Sequence, residues 1–369
     1  MDWTEHARAL ADKVSHRGSR WYRPIAGTPR HEFVPAWWES DGGHWRLRRG
    51  PLDAVYTDRS LVTRVGTHHA DLAAGHDRPA GEPTSSSTQP SLSVSMYRHA
   101  RLDDEARILE VGTGSGYGTA LLCHRYPASN ITSIDIDPYL TAVAAERLGV
   151  VGAHPNVVEG DATVKVPGVF DAIASTVAVR PIPPAWLDAL PVGGRFATVI
   201  SGTWIVVYGE RRRDGVFGHL ARDWAGFMAA RSGADYLQAR AVDWDAIGTA
   251  EGEHAGLGRY PVLDIGEAWE LHTMLELEVP GLRHRYGEAD GQRTALVAHA
   301  DGSWAHATAA GFDPPLVRQS GPRRLWDEID RVRDIWLQQG QAPFLGAHCM
   351  VLGDGTVKVA RGDYRATIS

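Results

Sequence analysis

The chain has 369 residues and a net charge of −7, with 43% hydrophobic and 22% charged residues. That composition is globular and long enough for two domains, and it gives no electrostatic reason to bind nucleic acid or an anionic membrane. The two cysteines, Cys123 and Cys349, stand far apart in no metal-ligand spacing, so a reduced, cytoplasmic setting is expected; the polar start is no secretory signal, and no apolar run approaches the ~20 residues of a membrane span.

Residues 4–14 place Ala7, Leu10, Ala11 and Val14 on one helical face. Residues 54–61 read as an extended segment ending in a turn. Residues 66–84 gather His68, His69, Asp71 and His76 among Gly, Pro and Ala. Imidazoles and a carboxylate this close could hold a metal, but a polar loop is the plainer reading and no metal is expected. Loops of this length are often lids or recognition segments. The run Ser85-Ser86-Ser87-Thr88-Gln89-Pro90 then leads into a helix, because proline suits a first helical turn. Leu92, Met96 and Ala100 would line its face. Four consecutive hydroxyls before a helix either cap it or hold a substrate carboxylate.

Residues 107–118 read Arg-Ile-Leu-Glu-Val-Gly-Thr-Gly-Ser-Gly-Tyr-Gly. Ile108, Leu109 and Val111 predict a buried central strand, and residues from Thr119 onward open a helix. A strand that passes through glycines into a helix is a nucleotide-binding turn, since bare backbone can approach a ligand closely. Tyr117 occupies the sixth position, where a dinucleotide fingerprint needs glycine, and so argues against a pyrophosphate on the helix start. Residues 131–135 predict the second strand, and Asp135 at its end sits where an acid can accept both hydroxyls of a ribose. Asp137 and Pro138 suit the start of the next helix. Further strands are expected at 156–161, 170–176, 193–200 and 203–208, with a short helix at 184–190. This is a doubly wound, Rossmann-like α/β sheet.

The Glu110-x-Gly112-x-Gly114-x-Gly116 phrase resembles motif I of S-adenosylmethionine-dependent methyltransferases, where the loop wraps the amino-acid tail and ribose of the cofactor. Phe33-Val-Pro, Tyr56-Thr-Asp58-Arg-Ser-Leu61, Ser87-Thr88-Gln89-Pro90 and residues 108–116 occur in the order seen in protein L-isoaspartyl O-methyltransferases. The resemblance covers roughly residues 30–225. It implies S-adenosylmethionine as cofactor and S-adenosylhomocysteine as product. Thr88 stands at the family's serine position, between substrate carboxylate and cofactor, and Ser86 at its threonine position. The implied catalytic residues are Thr88 and Ser87. The implied cofactor site is Glu110, Gly112, Thr113, Gly114, Ser115, Gly116, Asp135, Ile136, Asp161, Ala162 and Gln89, with Asp161 near the adenine amino group. Ser86, Tyr56 and Asp58 are implied for substrate.

Residues 231–369 are too long for a tail. Asp301-Gly302 and Asp354-Gly355 each predict a hairpin, and residues 324–339 predict a helix with Leu325, Ile329, Val332 and Trp336 on one face. The expected layout is a methyltransferase domain over 1–230 (approach 1–106, cofactor core 107–230) and an α+β peptide-recognition domain over 231–369. On that layout, a chain cut near residue 230 is expected to keep cofactor binding and to lose peptide selectivity, provided the shortened domain folds. Such an extension resembles the variants that accompany ATP-grasp macrocyclases (graspetides) or lanthipeptide enzymes. There the acceptor is an aspartate of a crosslinked precursor peptide and the product an aspartimide or isoaspartate. The alternatives are general isoaspartyl repair and a catalytically silent peptide-binding module. A monomer or weak homo-oligomer is expected. Thirteen tryptophans are an excess; most belong in a core, but some can present flat apolar surface to a peptide.

Overall fold

The apolar run before the glycines becomes the centre of the molecule. In the computed structural model, which describes residues 2–236, 241–340 and 343–369, the strand Ile108–Val111 is buried at every position. Parallel neighbours flank it on both sides, Ile131–Asp135 and Ala172–Val179. Asn156–Glu159 lies outside the first and Arg195–Ile200 outside the second, again parallel. Parallel strands need crossovers, and the helices Tyr117–Arg125, Pro138–Val150 and Pro184–Ala189 supply three of them. The strand order reverses beside Ile108–Val111, and a crevice opens at such a switch point outside the carboxyl ends of the strands. The expected doubly wound sheet is therefore present.

The sheet does not stop at the fifth strand. Ile205–Arg212 and Gly215–Trp224 extend it antiparallel. His348–Val351, Val357–Arg361 and Tyr364–Ile368 then complete ten strands. Here the structure departs from the expected layout, because the last three strands belong to the same sheet as the glycine-loop strand. The alternation in 348–359 shows that one face is buried but carries no mark of which edge it pairs with. Between these two parts of the sheet the chain builds a separate five-stranded antiparallel sheet. Its order is His254–Leu257, Leu316–Ser320, Trp304–Ala310, Gln292–Ala298, Arg283–Ala289. Both expected Asp-Gly hairpins form, and so does the helix Leu325–Gln338.

One apolar cluster runs from Leu109, Ile173 and Phe196 in the central sheet through Val357 and Ile368 to Val297, Val317 and Ile329. The other face of the sheet packs against the N-terminal helices through Leu10, Ile25 and Met96, and against Tyr117–Arg125 through Leu121. Trp3–Val14 forms with Asp2 as its cap. Residues 54–61 differ from expectation. Pro51 starts a helical turn, Leu52–Val55, and the strand begins only at Leu61. That strand, Leu61–Val65, pairs with Pro83–Ser87 and so carries the hydroxyl run to the crevice. Among the described residues, no helix is long and apolar enough to cross a membrane.

Candidate active site

Gly112 and Gly114 shape the floor of the crevice. Both have positive φ, 96° and 52°, which side chains rarely tolerate. A Cβ on Gly112 would fall 2.9 Å from Thr176 Oγ1, and one on Gly114 would fall 3.2 Å from the Ser86 carbonyl oxygen. The glycines thus let the loop run between its neighbouring strand and the hydroxyl segment. Gly112 N donates to Ile134 O at 2.9 Å and Gly114 N to Asp135 Oδ2 at 2.9 Å. The other Asp135 oxygen accepts Asp137 N at 3.1 Å. Burial pushes the Asp135 carboxyl up, partly offset by those two N–H groups.

Above this floor lies a cavity of ≈ 300 Å³, lined among others by Ser86, Thr88, Gly112, Gly114, Asp135, Ile136, Asp161, Ala162 and Thr176. Eight of the sequence-derived residues therefore meet at one place. Its size falls at the small end of the range for small-molecule sites. The donor set suits an adenosyl group carrying an amino-acid tail. Backbone at Gly112 and Gly114 is bare, Asp135 presents a carboxylate to the cavity, and Asp161 lies further along the same wall. Asp161 Oδ1 also accepts Thr163 N at 2.8 Å, so this residue turns the chain as well as lining the cavity.

Thr88 is held by a residue that no sequence motif marks. Arg30 is fully buried and has no carboxylate partner among the described residues; its guanidinium donates to the carbonyls of Val55, Thr57 and Arg59, and at 3.4 and 3.5 Å to those of Ser87 and Thr88. Burial lowers its pKa to about 10. Five carbonyls from two segments, 55–59 and 87–88, are gathered on one cation, and the Ser86–Thr88 corner is fixed against the glycine loop.

Residues 226–231 close the far wall. Ala178 N donates to Met228 O at 2.9 Å and Ala230 N to Ala178 O at 2.7 Å, so this strap is stitched to the end of Ala172–Val179. Arg231 reaches Asp137 at 3.4 Å, and Arg64 reaches the same oxygen at 3.1 Å while donating to Ala234 O at 2.7 Å. Asp137 meanwhile caps Pro138–Val150. The strap has no motif, and its one sequence signal is a pair of small residues before an arginine.

Other expected site residues lie outside that main cavity, each for a visible reason. Glu110 sits beneath the loop, where Tyr97 donates to it at 2.6 Å and Ser133 at 2.8 Å, with Thr119 as third donor. Its oxygens are occupied within the protein, and it braces the loop from below. Thr113 Oγ1 is 2.7 Å from Ser133 Oγ and joins that network. Ser115 is buried, and Gly116 caps Tyr117–Arg125. The Ser87 hydroxyl is buried with no hydrogen-bond partner among the described residues, outside the main cavity. Gln89 Nε2 donates to Asp58 and Ser91, and Asp58 accepts Ser91 N at 2.9 Å, so both serve the start of Pro90–His99. Tyr56 is buried against His31, 2.7 Å from its Nδ1. Of the loop histidines, His69 packs on Tyr139 and faces Asp137, Asp71 pairs with Arg147, and His76 is exposed beside Asp77.

Residues 69–215 match the family model described as Protein-L-isoaspartate(D-aspartate) O-methyltransferase (PCMT). A protein-L-isoaspartate O-methyltransferase of Roseiflexus castenholzii is 30% identical over 221 residues, 58% of this chain and 86% of that protein. One from Anaeromyxobacter dehalogenans is 36% identical over 187 residues, 47% of this chain and 86% of that protein. A solved structure of a protein-L-isoaspartate O-methyltransferase shares the fold, with a TM-score of 0.50 at 18% identity and 99% of each chain covered.

Proposed function

The chain belongs to the protein-L-isoaspartate O-methyltransferase family and is an S-adenosylmethionine-dependent methyltransferase, and from that premise we propose that Thr88 and Ser86 hold a peptide side-chain or isoaspartyl carboxylate for methylation. One observation carries this reading. The two residues line the same cavity as Gly112, Gly114 and Asp135.

S-adenosylmethionine supplies a methyl on positively charged sulfur. A carboxylate has a pKa near 4 and is ionised at neutral pH, so it needs no general base. Its oxygen forms the O–CH₃ bond, the S–CH₃ pair remains on sulfur, and no proton moves. The protein's part is placement and exclusion of water. Thr88 and Ser86 donate hydroxyl hydrogens to the carboxylate and orient it. Arg30 keeps the segment that bears them in place. Asp135 would accept the ribose hydroxyls of the cofactor, and Asp161 would hold its adenine end.

For the acceptor, we favour an aspartate of a ribosomally made, crosslinked peptide, whose ester closes to an aspartimide and opens to isoaspartate. The region beyond residue 230 supports this reading because it is built into the central sheet and adds surface beside the cavity. General repair is the second reading, favoured by the names of the relatives. The enzyme, S-adenosylmethionine and each of two acceptors separate them by mass. One acceptor is a side-chain-crosslinked peptide with one free aspartate, and the other a short linear isoaspartyl peptide. Tailoring gives methyl gain or water loss on the first alone. Repair gives methyl gain on the second regardless of context. Transfer to neither refutes the carboxylate assignment.

A further inference from the structure

The helix Trp269–Glu278 carries two side chains that methyl transfer does not use. Trp269 and Glu276 lie about two turns apart and so share a face. Trp269 stacks on Trp204, with ring centroids 5.1 Å apart and planes within 15°, yet remains 50% exposed. Glu276 meets Arg180 at 3.3 Å and accepts Gly281 N at 2.9 Å.

A groove of ≈ 550 Å³ lies beside this helix, lined by Arg180, Ser201, Gly202 and Glu276 among others. It opens outside the carboxyl ends of Ala172–Val179 and Arg195–Ile200, the edge of a parallel sheet where ligands bind. It also shares Thr163, Ala229 and Ala230 with the cofactor cavity. At the other end of the strap, Gly226 lines that cavity and lies under Trp204, so close that a Cβ would fall 2.3 Å from the indole. The strap thus has the methyl-transfer cavity on one side and the Trp269–Glu278 helix on the other.

We propose that this groove and the Trp204–Trp269 shelf dock the substrate's own peptide chain on one flank of the methylated residue. The shelf takes an apolar or aromatic side chain, since the half-exposed Trp269 indole gains by covering. The Arg180–Glu276 pair, which lines the groove with each side chain 13% exposed, hydrogen-bonds the peptide main chain through the donor and acceptor positions its own pairing leaves open. The continuity of groove and cavity fixes the occupant as the acceptor itself. The inference rests on the peptide-carboxylate reading above.

The test compares full-length wild type with Trp269→Ala and Trp269→Phe. Long acceptors are a linear isoaspartyl peptide with a flanking phenylalanine and the crosslinked peptide; the short acceptor is the linear peptide cut to one residue on either side of the isoaspartate. For a long acceptor that wild type turns over, Trp269→Ala should raise KM about tenfold, leave kcat and S-adenosylhomocysteine affinity unchanged, and spare the short acceptor. Trp269→Phe should recover most of the loss. An unchanged KM for the long acceptor, or an equal loss on long and short, overturns the docking surface. Wild type that methylates no acceptor overturns the carboxylate reading instead, and shows it without any variant.

Discussion

Thr88 differs from a serine by one methyl group, and that difference sets a direct check on its role. It lines the cavity beside Gly112 and orients a group that is already a nucleophile. Thr88→Ala should therefore lower kcat about 10- to 100-fold, as loss of a positioning hydrogen bond of ~1.5–3 kcal/mol to a charged group implies. Calorimetry should show unchanged S-adenosylhomocysteine affinity, and Thr88→Ser should retain most of the activity. A fall in affinity with kcat preserved would move Thr88 to the cofactor. Asp135 makes the opposite prediction: Asp135→Ala should weaken S-adenosylhomocysteine by roughly 1–3 kcal/mol. Burial raises its pKa, so the ionised, hydroxyl-accepting form is present above that raised value and lost as pH falls through it. Cofactor affinity should thus begin to decline at a higher pH than an ordinary carboxylate would allow, and a titration of affinity against pH checks this. Asp135 was legible because a strand pattern ended on it. The Glu110 carboxylate carried the same kind of sequence signal but turned inward to Tyr97, Thr119 and Ser133, partners that no sequence spacing reveals.

The loop and helix around residues 108–125 were readable as elements, because an apolar run, alternating glycines and a helical pattern are all local. What supports them was not. Glu110 is braced by hydroxyls from three elements; Glu110→Ala takes the acceptor from Tyr97 while Thr119, Ser133 and Thr113 keep one another, so stability should fall by about 1–3 kcal/mol, seen as a lower denaturation midpoint. Gly118 belongs to the same support, since a Cβ there would sit 2.6 Å from the Tyr97 hydroxyl and 2.7 Å from Glu110 Oε1. Arg30 binds loops separated by decades of sequence, and its contacts are to backbone carbonyls, which leave no trace in residue type. Arg30→Met should therefore lower both stability, by ~2–4 kcal/mol, and turnover, because the Ser86–Thr88 corner loses its anchor. Turnover intact in a stably folded Arg30→Met protein would contradict that link.

At the scale of the molecule, the hydrophobic patterns beyond residue 230 predicted the two hairpins and the long helix but not where they attach. The structure joins His348–Val351 to the edge of Gly215–Trp224, and the turn at Gly355 abuts the Ile182 carbonyl, 1.8 Å from where a Cβ would stand. Val351, Val357, Val359 and Ile368 are all buried there. At ~1.5–3 kcal/mol for each such side chain, their loss is comparable to the ~5–15 kcal/mol net stability of a native protein. Removing residues 348–369 should therefore abolish folding and cofactor binding together, whereas the two-domain layout expects a chain cut near residue 230 to keep cofactor binding. Gly355→Ala should lower the melting temperature of the full-length chain in a single transition. The central claim concerns the cavity between the glycine loop and the Ser86–Thr88 corner, and transfer itself tests it most directly. Incubated with S-adenosylmethionine and the isoaspartyl and crosslinked acceptors, wild type should add one methyl group to a carboxylate, and Thr88→Ala, with S-adenosylhomocysteine bound as tightly as before, should add it far more slowly. Equal rates for the two proteins, or no transfer by a wild type that binds S-adenosylhomocysteine, would contradict it.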